Sequence, residues 1–76
     1  MRDLVLWLAR ELVEIKDAVK VEAIERDRST VLELSVAQDD LGRVIGRGGK
    51  TAKALRTVID NAARREGRRV VLDILD

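Results

Sequence analysis

Apolar residues in this chain repeat with two different periods, and the order in which those periods alternate leaves few possible layouts. Over residues 2–16, Leu4, Val5, Leu8, Leu12 and Ile15 recur at helical spacing, about 100° per residue, and share one face. Ala9, Val13 and Leu6 widen that stripe, while Arg10, Glu11 and Glu14 lie opposite it with Trp7 among them. From Asp17 onward the period becomes two. Val19, Val21 and Ala23 alternate with Lys20 and Glu22, as in a half-buried strand. A polar turn over 26–29 leads to a second alternating run over 30–37, with Leu32, Leu34 and Val36 on one side, so the pair predicts a hairpin. Asp39 and Asp40 suit the N-cap of a short helix over 40–45, and Gly46 suits the left-handed residue that ends it. A longer helix is predicted over 49–65, with Ala52, Leu55, Val58, Ile59, Ala62 and Ala63 inward and Lys50, Lys53, Thr57, Asp60 and Arg64 outward. Gly67 ends it, and Val70, Leu72 and Ile74 alternate inward in a last strand. The predicted order is α-β-β-α-α-β, an α+β fold.

With 76 residues the chain predicts one domain with a small core. It has no cysteine and no histidine, so disulfides, thiolate metal sites and the commonest general base are excluded. The longest N-terminal apolar run, "LVLWLA" at 4–9, is too short to cross a membrane, and a cytoplasmic location with no membrane association is the expectation. The net charge of +1 conceals a separation of charge. Residues 43–69 hold nine basic side chains against Asp60 and Glu66, a net +7, and the remainder carries six basic against twelve acidic, a net −6. Either this stretch is a salt-bridged helix surface or it binds anions.

Three of the five glycines lie in "IGRGGKT", residues 45–51, and a glycine-rich turn followed by Lys-Thr points to phosphate. A nucleotide loop of the form G-x-x-x-x-G-K-[ST] fails, because its first glycine would fall at Val44 and a helix, not a strand, precedes the turn. A dinucleotide turn, G-x-G-x-x-G, fails at Thr51. The alternative is a nucleic-acid backbone. In Gly46-Arg47-Gly48-Gly49 the glycines let a backbone approach closely, and the following helix opens with its positive end toward the turn.

The stretch "RVIGRGGKTAKALR" at 43–56 resembles the signature of KH RNA-binding domains, and the predicted element order resembles their type II, bacterial form over almost the whole chain. The resemblance implies a single KH domain over 1–76, of the stand-alone bacterial kind. Its second and third strands run parallel, its first is antiparallel to the second, and three helices cover one face of this mixed sheet. It implies that Gly46, Arg47, Gly48 and Gly49 clamp the backbone of single-stranded RNA, about four nucleotides of it, with low sequence selectivity. Arg43, Lys50 and Lys53 then attract phosphates and Ile45 cradles bases, with Leu32, Leu34 or Val36 as the expected groove floor. It further implies self-association and a larger KH-containing protein partner, in a post-transcriptional regulator or RNA chaperone. One position departs from the pattern: Ala52 stands where a larger aliphatic residue is usual, which alters the groove wall.

Two other readings compete: a KH-shaped protein-interaction module, and a binder of single-stranded DNA. The intact, basic loop favours RNA over the first. An aromatic RNA-reading sheet is excluded, because Trp7 is the only aromatic residue. Asp39 and Asp40 are read as helix caps and not as magnesium ligands, and no catalytic residue, metal ligand or cofactor is assigned. The apolar residues left outside the core are Leu6 and Trp7 on the first helix and Ile24, Val31, Val71 and Leu75 on the outer sheet face. Leu6, Trp7, Val71 and Leu75 are the expected contacts of a homodimer.

Overall fold

The computed structural model describes all residues, 1–76. Its elements are α1 (Arg2–Leu12), β1 (Lys20–Glu25), β2 (Ser29–Ser35), α2 (Leu41–Ile45), α3 (Lys50–Arg65) and β3 (Arg69–Ile74), with short 3-10 turns at Lys16–Ala18, Gln38–Asp40 and Arg47–Gly49. The strands form one sheet in the order β1-β2-β3. β1 is antiparallel to β2, with Val21 opposite Leu34, and β2 is parallel to β3, with Leu32 opposite Leu72. The three helices pack on one face of this sheet, as the family resemblance implied.

The core lies between helices and sheet. Val5, Ala9 and Val13 from the first segment meet Val21, Leu32, Leu34, Val70 and Leu72 from the strands, and Val44, Leu55, Ile59 and Ala63 from α2 and α3. Ile59 is almost completely buried, and burying a side chain of that size contributes roughly 1.5–3 kcal/mol. Alanines at 52 and 63 keep α3 close to its neighbours. α3 ends in a Schellman arrangement, the Arg68 amide donating to the Ala63 carbonyl and the Gly67 amide to that of Arg64, both at 3.0 Å.

The first helix is shorter than its periodicity predicted. It stops at Leu12, and Val13 is extended at φ −99°, ψ 162°. Two side chains from outside the helix explain the early stop, one near in sequence and one distant. The Lys16 ammonium donates to the carbonyls of Arg10 (2.7 Å) and Val13 (3.0 Å), satisfying the helix end. Asp40, which was expected to cap its own helix, accepts the Glu14 amide at 3.1 Å and the Ile15 amide at 2.9 Å instead. Asp40 does occupy the N-cap position of α2, but its carboxylate makes no hydrogen bond to that helix. With the chain off its helical path, Ile15 leaves the apolar stripe and is half exposed. Ala23 and Val58, predicted inward, are also exposed.

On the outer sheet face, pairing lines up Ile24, Val31 and Val71 in one row and Glu22, Glu33 and Asp73 in the next. No cation lies within ion-pair distance of those three carboxylates. The helical side of the molecule, and not this acidic face, is therefore where a polyanion can approach.

Candidate nucleic-acid interface

α2 delivers the chain into the glycine turn, and the turn delivers it into α3. The Gly46 amide donates to the Gly42 carbonyl at 2.8 Å, closing α2, and the Gly49 amide donates to the Gly46 carbonyl at 3.1 Å, closing the turn. All three loop glycines have positive φ: Gly46 at 77°, Gly48 at 63° and Gly49 at 79°. Gly46 is the position where glycine is required. Its ψ of 170° lies in a region almost reserved for glycine. A Cβ there would stand 2.2 Å from Thr51 Oγ1 and 2.8 Å from the Thr51 amide nitrogen. The first turn of α3 is thus wedged against the loop, a role for Thr51 that its place after Gly-Lys did not reveal. At Gly48 and Gly49 a Cβ would meet nothing within 4 Å, so the tip of the turn is open.

The predicted site residues fall in two groups. Arg47, Gly48, Lys50 and Lys53 are exposed, and none of the three cations has a carboxylate within ion-pair distance. Ile45 is half-buried, in contact with the core beside the loop. Arg43 differs from the expectation of a cation free to attract phosphate. Its guanidinium contacts the Glu14 carboxylate, and its Nε lies 3.3 Å from Asp40 Oδ1. The groove floor also differs. Leu32 and Leu34 are almost wholly buried because their side chains face the helices packed on the sheet, and of the three only Val36 retains exposure. The strand with a free edge beside α3 is β3.

Asp40 acts as a brace behind this surface. It is buried, and the Ile15 amide, with the Glu14 amide and the charges of Arg43 and Lys16, holds its carboxyl below the usual carboxylate value although burial pushes it up. A depressed folded-state pKa adds stability above the unfolded value, about 3.9, which is lost as pH falls through the folded value. Asp40→Asn is therefore expected to lower Tm by several degrees at pH 7, with the gap from wild type narrowing as pH falls from about 5 to 2. Melting curves across that range check it; a gap independent of pH would remove Asp40 from this role.

Of the nine basic residues in 43–69, only Arg43 and Arg68 are ion-paired, Arg68 with Glu25 at 2.9 Å. The other seven face solvent without a carboxylate partner, so the stretch is not a salt-bridged surface. No cluster of carboxylates could hold a metal ion, and no helix is long and apolar enough to cross a membrane.

A three-stranded mixed sheet in this order, covered by helices on one face and carrying an open Gly-x-x-Gly turn between two of them, defines a KH domain. The family model described as KhpA/KhpB, KH domain, matches residues 2–74. The chain belongs to that family. It is 49% identical over 76 residues to the RNA-binding protein KhpA of Halalkalibacterium halodurans, covering the whole of both chains. It is 46% identical to that of Aquifex aeolicus, covering all of this chain and 96% of the relative, and 45% identical to that of Borreliella burgdorferi, covering 97% and 90%. No solved structure matches the chain.

Proposed function

We propose that this protein binds single-stranded RNA through the turn Gly46-Arg47-Gly48-Gly49, with low sequence selectivity, and serves as a post-transcriptional regulator or RNA chaperone. The observation that carries this reading is the open turn tip flanked by the unpaired cations Arg47, Lys50 and Lys53. The names of its relatives support RNA as the ligand. Phosphates approach the bare glycine backbone and the positive end of α3, while Ile45 offers apolar contact to a base. Arg43, paired with Asp40 and Glu14, braces the loop from behind and is not among the cations free to meet phosphate. The reading assigns no catalytic step.

With about four phosphates neutralised, affinity for a short RNA falls with salt at a log–log slope of about −2 to −3. A titration monitored by fluorescence anisotropy measures it, and a flat response would remove the loop cations from the interface. The same titration with DNA of matching sequence distinguishes the two nucleic acids, and binding to neither favours a protein-interaction module.

A homodimer is part of the proposal. Leu6 packs against the core, but Trp7 is 60% exposed. One helical turn further along, Glu11 joins Leu8, Leu12, Ala54, Leu55 and Val58 around a cleft of about 250 Å³ between α1 and α3. This largely apolar surface is the one we assign to the second copy or to a larger KH-containing partner; the expected Val71 and Leu75, on the outer sheet face, are exposed as well. Equilibrium sedimentation at micromolar concentration is expected to give twice the monomer mass, reverting to monomer in Val58→Glu. A monomeric wild type would refute the assignment.

A further inference from the structure

We propose that the outer face of the sheet docks a protein partner, and that the partner presents an amphipathic helix with lysine or arginine along one flank of its apolar stripe. The inference does not depend on the RNA-binding reading. The helices all pack on the other side of the sheet, and on this side Val71 is left 41% exposed. Strand register sorts the face into rows that cross the three strands. Ile24, Val31 and Val71 are direct partners in one row, and Glu22, Glu33 and Asp73 in the next.

Strand propensity explains a β-branched residue at any one of these positions, where threonine would serve as well. It does not explain why the apolar residues share a row or why the adjacent row is all carboxylate. Like charges directly opposite on neighbouring strands weaken a sheet, and none of the three carboxylates has a cation within ion-pair distance, Lys20 on the same face included. Keeping RNA off this side would need negative charge anywhere on the face, not two like-charge pairs in register. The row therefore favours an occupant that brings cations to one side of an apolar contact. Beyond the apolar row Ser29 pairs with Arg69, so no carboxylate awaits a second cationic flank there.

The spacings select a helix. A partner strand would pair with a sheet edge and would not lie on its face. Three strands about 4.8 Å apart set the ends of the apolar row about 10 Å apart. Apolar residues at i, i+3 or i+4, and i+7 of an α-helix span about 10.5 Å. The acidic row lies two residues along the strands, about 6.7 Å to the side, and a side chain on a helix flank reaches about 5–6 Å from the axis. A helix laid across the strands thus sets its stripe on Ile24, Val31 and Val71 and its cations over the carboxylates. Laid along the strands, the same stripe would cross both rows and bury charge against apolar surface. Nucleic acid and anionic lipid are repelled by the carboxylates, which leaves protein as the occupant.

The probes are two synthetic helical peptides with one leucine stripe, the first with lysine along a flank and the second with glutamate at the same places. Fluorescence anisotropy with the full chain is expected to show the lysine peptide binding at least about tenfold tighter, by a margin that shrinks in high salt. Glu22→Lys with Asp73→Lys, both exposed, should reverse that order. The same variant should melt at or above the wild-type temperature, because each new lysine then faces Glu33 across a strand pair. Val71→Ser should weaken the lysine peptide at least about threefold, from the lost apolar contact. Equal binding of the two peptides, binding of neither, or a preference that survives the double lysine variant would overturn the proposal. A clearly lower Tm in that variant would overturn it too, by showing that the acidic row serves the fold. So would a wild-type dimer that the double variant alone turns to monomer, since the face would then belong to a second copy.

Discussion

Aspartate at both Arg47 and Gly48 is expected to weaken RNA binding by at least about 100-fold and to leave the domain folded. The pair of substitutions changes the charge of the turn by three units at the tip where phosphate approaches. A like-charge contact at 4 Å costs about 1 kcal/mol in water and about 4 kcal/mol near a protein surface. Two carboxylates therefore suffice for the loss, before the missing Arg47 contact is counted. The fold should tolerate both changes. Arg47 is exposed and unpaired, and Gly48 sits at φ 63°, ψ 19°, the left-handed region that aspartate enters more readily than most residues. Its side chain would point into open space. Gel shift with circular dichroism on the same preparation decides the matter, and undiminished binding by a folded variant would sink the site assignment.

Gly46→Ala is expected to have the opposite character, damaging the fold first and binding as a consequence. The new methyl would overlap Thr51 Oγ1, Thr51 Cβ and the Thr51 amide nitrogen, at 2.2, 2.7 and 2.8 Å. Backbone strain in this φ/ψ region adds about 1–3 kcal/mol. A total near 3 kcal/mol is a large share of the stability of so small a domain, and corresponds to a drop in Tm of about 12–24 °C. Adding Thr51→Ala should not restore the loss, because the backbone nitrogen and Cβ remain in place. Gly48→Ala, with nothing within 4 Å, should cost only about 1–2 kcal/mol. Thermal melts of the three variants check this series. A Gly46→Ala protein melting within a few degrees of wild type would show that α3 can move away from the loop.

The element order was legible because hydrophobic period is a local signal: Leu55 and Ile59 four residues apart, or Leu32 and Leu34 two apart, announce their element without help from elsewhere. The glycine turn was legible for the same reason. What the sequence concealed depends on groups far apart along it. No glycine or proline near Leu12 announces the end of α1; Lys16 closes it locally, and Asp40 holds the following amides from more than twenty residues away. Arg43 reads as a free cation until the fold brings Glu14 to it. Thr51 reads as part of a phosphate motif until the ψ of Gly46 turns its hydroxyl toward the place where a Cβ would be. That Arg56 and Arg69 line one cleft depends on β3 folding beside α3.

The parallel pairing of β2 with β3 has a consequence for the order of events during synthesis. Between these two strands the chain runs through α2, the glycine turn and α3, so the whole of the turn and its flanking helices lies inside the crossover. Such a pairing closes a long loop before it returns any contact energy, which makes it a slow step. Ile59 and Ala63 lack the part of their packing surface that Val70 and Leu72 supply until those residues arrive, and chains made at about 5–20 residues per second supply them later. A ribosome-bound chain that has exposed the glycine turn but not residues 69–74 therefore carries the motif without the complete sheet behind it, and the proposed clamp is expected to gain its support only when β3 docks.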